Sequence, residues 1–280
     1  MKHWRLDDIA WDRFLPARVD PALVPLVKAA ALVERNGRDY ETYLHNVFRA
    51  DPAFCRAATN WAVEEVQHGE ALGRWAKLAD PGWDFAAAFT RYRAGYRIPL
   101  EADHSVRGSF TGELIARCIV ETGTSSYYTA LADATREPVL KQVCRQIAAD
   151  EYRHFKLFYD HMKRYLTREQ IGVLGRLRIA AGRVTETEDD ELAFAFHCAN
   201  EPPDPGAALG YDRQRCTAAY MGQAIRLYRP THVDRSTAMI LKAVGIDPRG
   251  TLSGIASRIV WRVMQTRRAG FERRLASLTA

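Results

Sequence analysis

The chain has 280 residues, 47% hydrophobic and 26% charged, which is ordinary globular composition and enough length for one large or two small domains. No apolar run approaches the roughly 18 residues of a membrane-spanning helix, and the opening Met1-Lys2-His3-Trp4-Arg5-Leu6-Asp7-Asp8 lacks the apolar core of a secretion signal. The net charge of +6 leaves anionic partners open, while five cysteines without Cys-x-x-Cys spacing (Cys55, Cys118, Cys144, Cys198, Cys216) point to a reduced, cytoplasmic setting rather than a disulfide framework.

In chain order, residues 1–20 read as an irregular arm anchored by Trp4, Trp11, Phe14 and Leu15. Asp20-Pro21 is a helix-start signal, with Asp capping and Pro in the first turn, and predicts a first helix to about residue 48. Asp51-Pro52 repeats the signal for a second helix ending near Asp80-Pro81-Gly82. Residues 81–107 predict a connection with a short helix around 85–92. A third helix spans about 109–135, and Glu137-Pro138 opens a fourth that reaches about 166. Thr167-Arg168-Glu169-Gln170 reads as a capping box opening a fifth helix to about 183, and Thr185-Glu186-Thr187-Glu188 as another. Glu201-Pro202-Pro203-Asp204-Pro205-Gly206 predicts a loop, after which helical periodicity returns at 211–228, 232–244 and 251–276. No segment reads as a strand, so the expected fold class is all-α.

Two of these helices carry the chemistry. In the fourth, Val143, Ile147, Glu151, His154 and Phe158 share one face, which places a carboxylate and an imidazole on the apolar stripe. In the second, Trp61, Glu65, His68, Leu72 and Trp75 do the same. A buried carboxylate is expensive unless compensated. The simplest compensation for a Glu and a His on one inner face is a metal ion. Di-iron and di-manganese bundles use this plan, with Glu-x-x-His on two helices and one Glu on each of the other two. Glu34 and Glu121 lie one helix upstream of Glu65 and Glu151 and complete it. A third Glu-x-x-His, Glu101-Ala102-Asp103-His104, falls between Pro99 and Gly108 without helical periodicity and reads as surface loop.

From about Trp11 to His154 these residues resemble the soluble acyl-[acyl-carrier-protein] desaturases, a branch of the ferritin-like di-iron proteins. Ile147-Ala148-Ala149-Asp150-Glu151-x-x-His154 is similar to the family's second Glu/His motif and Glu64-Glu65-x-x-His68-Gly69, with Trp61 before it, to the first. Glu121-Thr122-Gly123-Thr124 resembles the third-helix motif, and Glu34 followed by Tyr40 the first-helix pattern. Trp11 with Phe14-Leu15-Pro16 is similar to the family's N-terminal motif at shorter spacing, Gln67 replaces a usual basic residue, and the match weakens from Thr185 onward.

The resemblance implies a ferritin-like four-helix core over 21–166, with 167–280 as additional helices packed on it. It implies two Fe ions held by Glu34, Glu65, His68, Glu121, Glu151 and His154, with Glu65 and Glu151 bridging. Mn shares this ligand set. Glu41, one heptad after Glu34, is the rival terminal ligand. Asp150 is the implied hydrogen-bond partner of His68, and Thr124 the implied hydroxyl beside bound oxygen; the alternatives are a surface salt bridge and a helix Thr bonding its own backbone. The implied activity is O2-dependent desaturation of an acyl chain on acyl carrier protein, in a homodimer served by a ferredoxin-like electron donor. The alternatives are an N-oxygenase or hydroxylase on another substrate, non-catalytic iron or peroxide handling, and a carrier-binding protein with an inert centre.

Gly112 and Gly123 weaken a helix and are expected to make room for a close neighbour or ligand. The tail is basic, with Arg258, Arg262, Arg267, Arg268, Arg273 and Arg274 beside an apolar stripe of Ile259, Val260, Val263 and Phe271. That sign suits an acidic carrier. It also suits an anionic membrane surface or RNA, although nucleic acid is not the expected partner.

Overall fold

In the computed structural model, which describes residues 3–185, 190–201 and 210–279, all regular structure is helical. The chain runs α1 (Val24–Arg35), α2 (Gly37–Val47), α3 (Pro52–Ala79), α4 (Phe85–Gly95), α5 (Phe110–Ala134), α6 (Pro138–Glu169), α7 (Val173–Thr185), α8 (Asp190–Asn200), α9 (Arg213–Ala224), α10 (Pro230–Val244) and α11 (Thr251–Thr279). The helix starts follow local chemistry. Asp51, Asp84, Ser109, Glu137 and Asp212 each accept a backbone N–H of the first turn of α3, α4, α5, α6 and α9. α1 and α2 pack on α3, α5 packs extensively on α6, and α3 meets α6, so the four-helix core is two hairpins laid together. Of the later helices, α7 and α10 pack on α5, α8 on α1 and α4, and α11 on α9 and α10. Among the described residues no helix is long and apolar enough to cross a membrane.

The interior has two apolar clusters with a polar band between them. One contains Leu32, Leu72, Trp75, Tyr128, Val143 and Ile147, and the other Tyr43, Phe54, Trp61, Ile119, Phe155 and Phe158. On α3 the residues between Trp61 and Leu72 include Glu65 and His68. On α6 Glu151 and His154 follow Ile147 and precede Phe158, and on α5 Glu121 lies between Ile119 and Tyr128. Each core helix is therefore apolar above and below one turn that carries ionisable groups.

Several expected boundaries are corrected. The first helix is not continuous. It begins at Val24, after a turn in which Asp20 accepts Ala22 N–H, and it breaks at Asn36. The break serves close packing: a Cβ on Gly37 would lie 2.6 Å from Glu65 Cβ, and one on Gly69 would lie 2.5 Å from Arg35 N. Two glycines thus let the α1–α2 junction sit against the turn of α3 that carries Glu65 and His68. Gly123, by contrast, is exposed with nothing within 4 Å of a Cβ there, and a Cβ on Gly112 would first meet its own capping turn, Ser109 and Arg107.

Thr167-Arg168-Glu169-Gln170 is not a capping box. α6 continues to Glu169, Thr167 bonds Arg164 C=O, and Glu169 reaches across to accept Phe110 and Thr111 N–H. The arm forms three short 3-10 turns, with Trp4 buried, but Leu15 is exposed rather than an anchor. Thr185 ends α7, while residues 186–188 of the expected capping box and most of the expected loop at 201–206 lie outside the described residues.

Candidate metal centre

Six residues converge between the apolar clusters, from α1 (Glu34), α3 (Glu65, His68), α5 (Glu121) and α6 (Glu151, His154). They form two overlapping groups whose oxygen and nitrogen atoms lie within 4.8 Å of one another: Glu34, Glu65, His68 and Glu151, and Glu65, Glu121, Glu151 and His154. Glu65 and Glu151 belong to both. Glu41 instead pairs with Arg38 at 2.7 Å outside the cluster, and the Glu101–His104 stretch is loop, its exposed His104 bonding Asp103.

Each of the six leaves one buried polar atom without a hydrogen-bond partner: Glu34 Oε2, Glu65 Oε1, His68 Nδ1, Glu121 Oε2, Glu151 Oε1 and His154 Nδ1. These atoms face one another. His68 Nδ1 lies 3.1 Å from Glu151 Oε1 and 3.5 Å from Glu34 Oε2, and His154 Nδ1 lies 3.0 Å from Glu65 Oε1 and 3.5 Å from Glu121 Oε2. Native interiors rarely leave such atoms unpaired, and six of them turned toward one space need a cation or protons between them.

The outward atoms are held. His68 Nε2 lies 3.0 Å from Asp150 Oδ2, and His154 Nε2 lies 2.7 Å from Glu64 Oε2. Both carboxylates stay ionised: burial raises them, but His68 and Arg153 outweigh it at Asp150, and His154 does so at Glu64. An ionised carboxylate only accepts, so each ring places its N–H at Nε2 and a neutral ring then turns the Nδ1 lone pair inward. Asp150 also accepts from Trp4 Nε1 at 2.7 Å, and the Trp4 ring lies parallel to that of His68, 6.1 Å away. Arg153 ties Asp150 to Glu64. Tyr128 donates to Glu34 Oε1 at 2.5 Å. Thr124 Oγ1 lies 2.6 Å from Glu151 Oε2 and 3.2 Å from two carbonyls of its own helix. A hydroxyl has one hydrogen, and the short contact to a charged acceptor is the stronger.

Of these outer residues, Asp150 and Thr124 are signalled in the sequence. Trp4, Glu64, Tyr128 and Arg153 are not assigned these roles by spacing. Glu64 adjoins Glu65 in sequence, which is its one local signal, whereas Trp4 is reached only through the arm, which Gln67 pins by donating to Trp4 C=O at 3.1 Å.

Without a cation the cluster holds protons. Burial, with Glu151 and Glu34 nearby, keeps the Glu65 carboxyl well above its usual range, and burial beside Glu151 pushes Glu121 up to about 8. Burial also raises Glu151, but contacts with His68 and His154 outweigh it and hold its carboxyl down to about 2. For His68 and His154 burial favours the neutral ring, yet the facing carboxylates more than offset it and hold both well above the usual imidazole range.

The raised groups set a sign. A carboxyl shifted from 4.5 to about 8 keeps a proton in the fold that the unfolded chain releases, so stability falls as pH rises through that window. Raised imidazoles act in the same direction above pH 6.5. A metal ion replaces those protons. The rise in melting temperature on adding Mn2+ is therefore expected to be larger at pH 8 than at pH 6. Calorimetric melts of metal-free and metal-loaded protein check this, and an equal rise at both values would count against proton displacement.

No protein-family model matches this chain, and no curated protein matches it. The buried Glu/His groups can hold a metal ion on their own geometry.

Proposed function

We propose that the chain is an O2-dependent oxidase built on a dinuclear iron centre, which Glu34, Glu65, His68, Glu121, Glu151 and His154 would hold. The observation that carries this reading is the set of six inward-facing unpaired atoms, one from each residue. Four carboxylates balance two divalent ions, and the two imidazoles bind as neutral donors. When bound, a ferrous pair supplies electrons to reduce O2 and the oxidising power to take hydrogen from an unactivated C–H bond.

The protein's residues hold and orient. Asp150 and Glu64 set the tautomer of each imidazole, Tyr128 and Thr124 hold the outer oxygens of Glu34 and Glu151, and the apolar clusters on either side limit water. Desaturation would convert CH2–CH2, O2, two electrons and two protons to CH=CH and two waters. Hydroxylation would convert C–H, O2, two electrons and two protons to C–OH and one water. A ferredoxin-like donor is part of the proposal in both cases.

Two substrate classes fit this chemistry. The sequence resemblance supports an acyl chain on an acidic carrier protein. The lining of the cleft over the cluster is mostly apolar but includes Tyr40, Arg117, Arg183 and Glu191, which supports the other class, an oxygenase acting on a molecule with a polar group. The test is O2 consumption by iron-loaded, reduced protein, with mass spectrometry of products from carrier-bound acyl chains and from small polar acids. A new double bond supports the first class and an added oxygen atom the second. Ferrous protein that neither consumes O2 nor changes its spectrum in air would sink the oxidase reading.

A further inference from the structure

We propose that the cleft over the metal cluster takes a small substrate bearing a carboxylate, docked on the guanidinium groups of Arg117 and Arg183. This rests on the oxidase reading for what happens to the substrate, but the anion pocket consists of residues outside the ligand set.

On α5, Arg117, Glu121 and Thr124 form one stripe along the cleft. Arg117 sits one helical turn before Glu121, about 6 Å along the axis. Its guanidinium lies over the Tyr40 ring at 4.7 Å. Its Nε is buried without a hydrogen-bond partner, and its nearest carboxylate oxygen, Glu113 Oε1, is 3.5 Å away, beyond a good N–H···O bond. Tyr43 and Ser105 donate to the other oxygen of Glu113 at 2.8 and 2.9 Å, so Arg117 is not its sole partner.

Arg183 comes from α7 to line the same cleft, half-buried, and pairs with no carboxylate among the described residues. Glu191, the remaining acid of the lining outside the cluster, is satisfied by tyrosines: Tyr40 donates at 2.8 Å and Tyr92 at 2.9 Å. Among the described residues Arg117 thus keeps only its 3.5 Å pair with Glu113 and Arg183 pairs with no carboxylate, and both line the cleft.

A buried guanidinium short of acceptors is costly, and a bidentate carboxylate is its natural complement. A singly charged carboxylate suits the place better than a phosphate dianion, because Glu34, Glu65, Glu121, Glu151 and Glu191 share the lining and repulsion grows with ligand charge. The short distance from Arg117 to Glu121 places the acid group and the reacting carbon in one small molecule. Methylenes of a carrier-bound chain would instead desolvate both guanidinium groups without pairing them.

Calorimetric titration of the full chain with benzoate and hexanoate, against benzyl alcohol and hexanol, tests the inference, using metal-free and Mn2+-loaded protein and the variants Arg117→Gln, Arg117→Lys and Arg183→Gln. The acids are expected to bind at least about tenfold more tightly than the alcohols, and each Gln variant to lose about tenfold in acid affinity, with Arg117→Lys recovering part of it. Arg183→Gln, at the half-buried position, keeps the test open if Arg117→Gln does not fold. Acid binding that persists in the folded Gln variants but needs metal would place the carboxylate on the ions and overturn the inference. Alcohols binding as well as acids, or no acid binding at all, would also overturn it. If the chain takes up no metal yet binds the acids through these arginines, the oxidase reading fails and the anion pocket stands.

Discussion

Wild-type protein is expected to take up about two irons per chain, Glu151→Ala none, and Glu101→Ala as many as wild type. Both residues begin a Glu-x-x-His, but only one is buried in the bundle. Glu151 is 1% exposed and belongs to both candidate ligand groups, so its loss removes an oxygen donor from each and half of the charge that the shared carboxylates supply. Glu101 lies exposed on a turn, and its His104 bonds Asp103. The measurement is iron per chain after anaerobic loading, with the optical spectrum after exposure to air. The melting temperature of metal-free protein serves as the control for folding. Wild-type protein that holds no iron, or Glu151→Ala that holds as much as wild type, would remove the basis for a dinuclear centre here.

Asp150→Ala is expected to weaken metal binding by about 10- to 100-fold without touching a proposed ligand, and Glu64→Ala to weaken it less. Both carboxylates hold an imidazole by its Nε2, but their surroundings differ. Asp150 has a side-chain exposure of 2% and accepts from Trp4, His68 and Arg153 together. Its removal leaves donors buried without an acceptor, at about 1–3 kcal/mol each, and frees the His68 ring to turn. The Glu64 side chain is 19% exposed, so water can take its place beside His154. Competition against a chelator of known affinity measures both variants. Equal losses, or none, would show that these outer contacts do not orient the rings, and a lowered melting temperature for Asp150→Ala alone would still report the buried donors.

The six cluster residues were legible because their signal is periodic. Glu65 with His68 and Glu151 with His154 interrupt apolar stripes on long helices, and the stripe itself says which way they face. Glu34 and Glu121 were legible only by symmetry between the two halves, and Glu41 stayed a rival until the chain was folded and paired it with Arg38. The glycines show the opposite case. Helix propensity drew attention to Gly112 and Gly123, yet the close approaches are at Gly37 and Gly69, because what a missing Cβ allows depends on the backbone opposite and not on its own helix.

From its sequence alone this protein's all-α class, the order of its main helices, several of their caps and the inner faces of α3 and α6 could be determined, since caps and 3.6-residue periodicity act between residues a few positions apart. Tertiary structure decided the rest. The break at Asn36 answers to the packing of Gly37 on Glu65, Trp4 reaches Asp150 across 146 positions, and Arg117, Arg183 and Glu191 meet over one cleft from three helices. Such pairings follow from how apolar faces dock and where buried charge finds a partner, and these are properties of the assembled bundle that no local stretch of chain records.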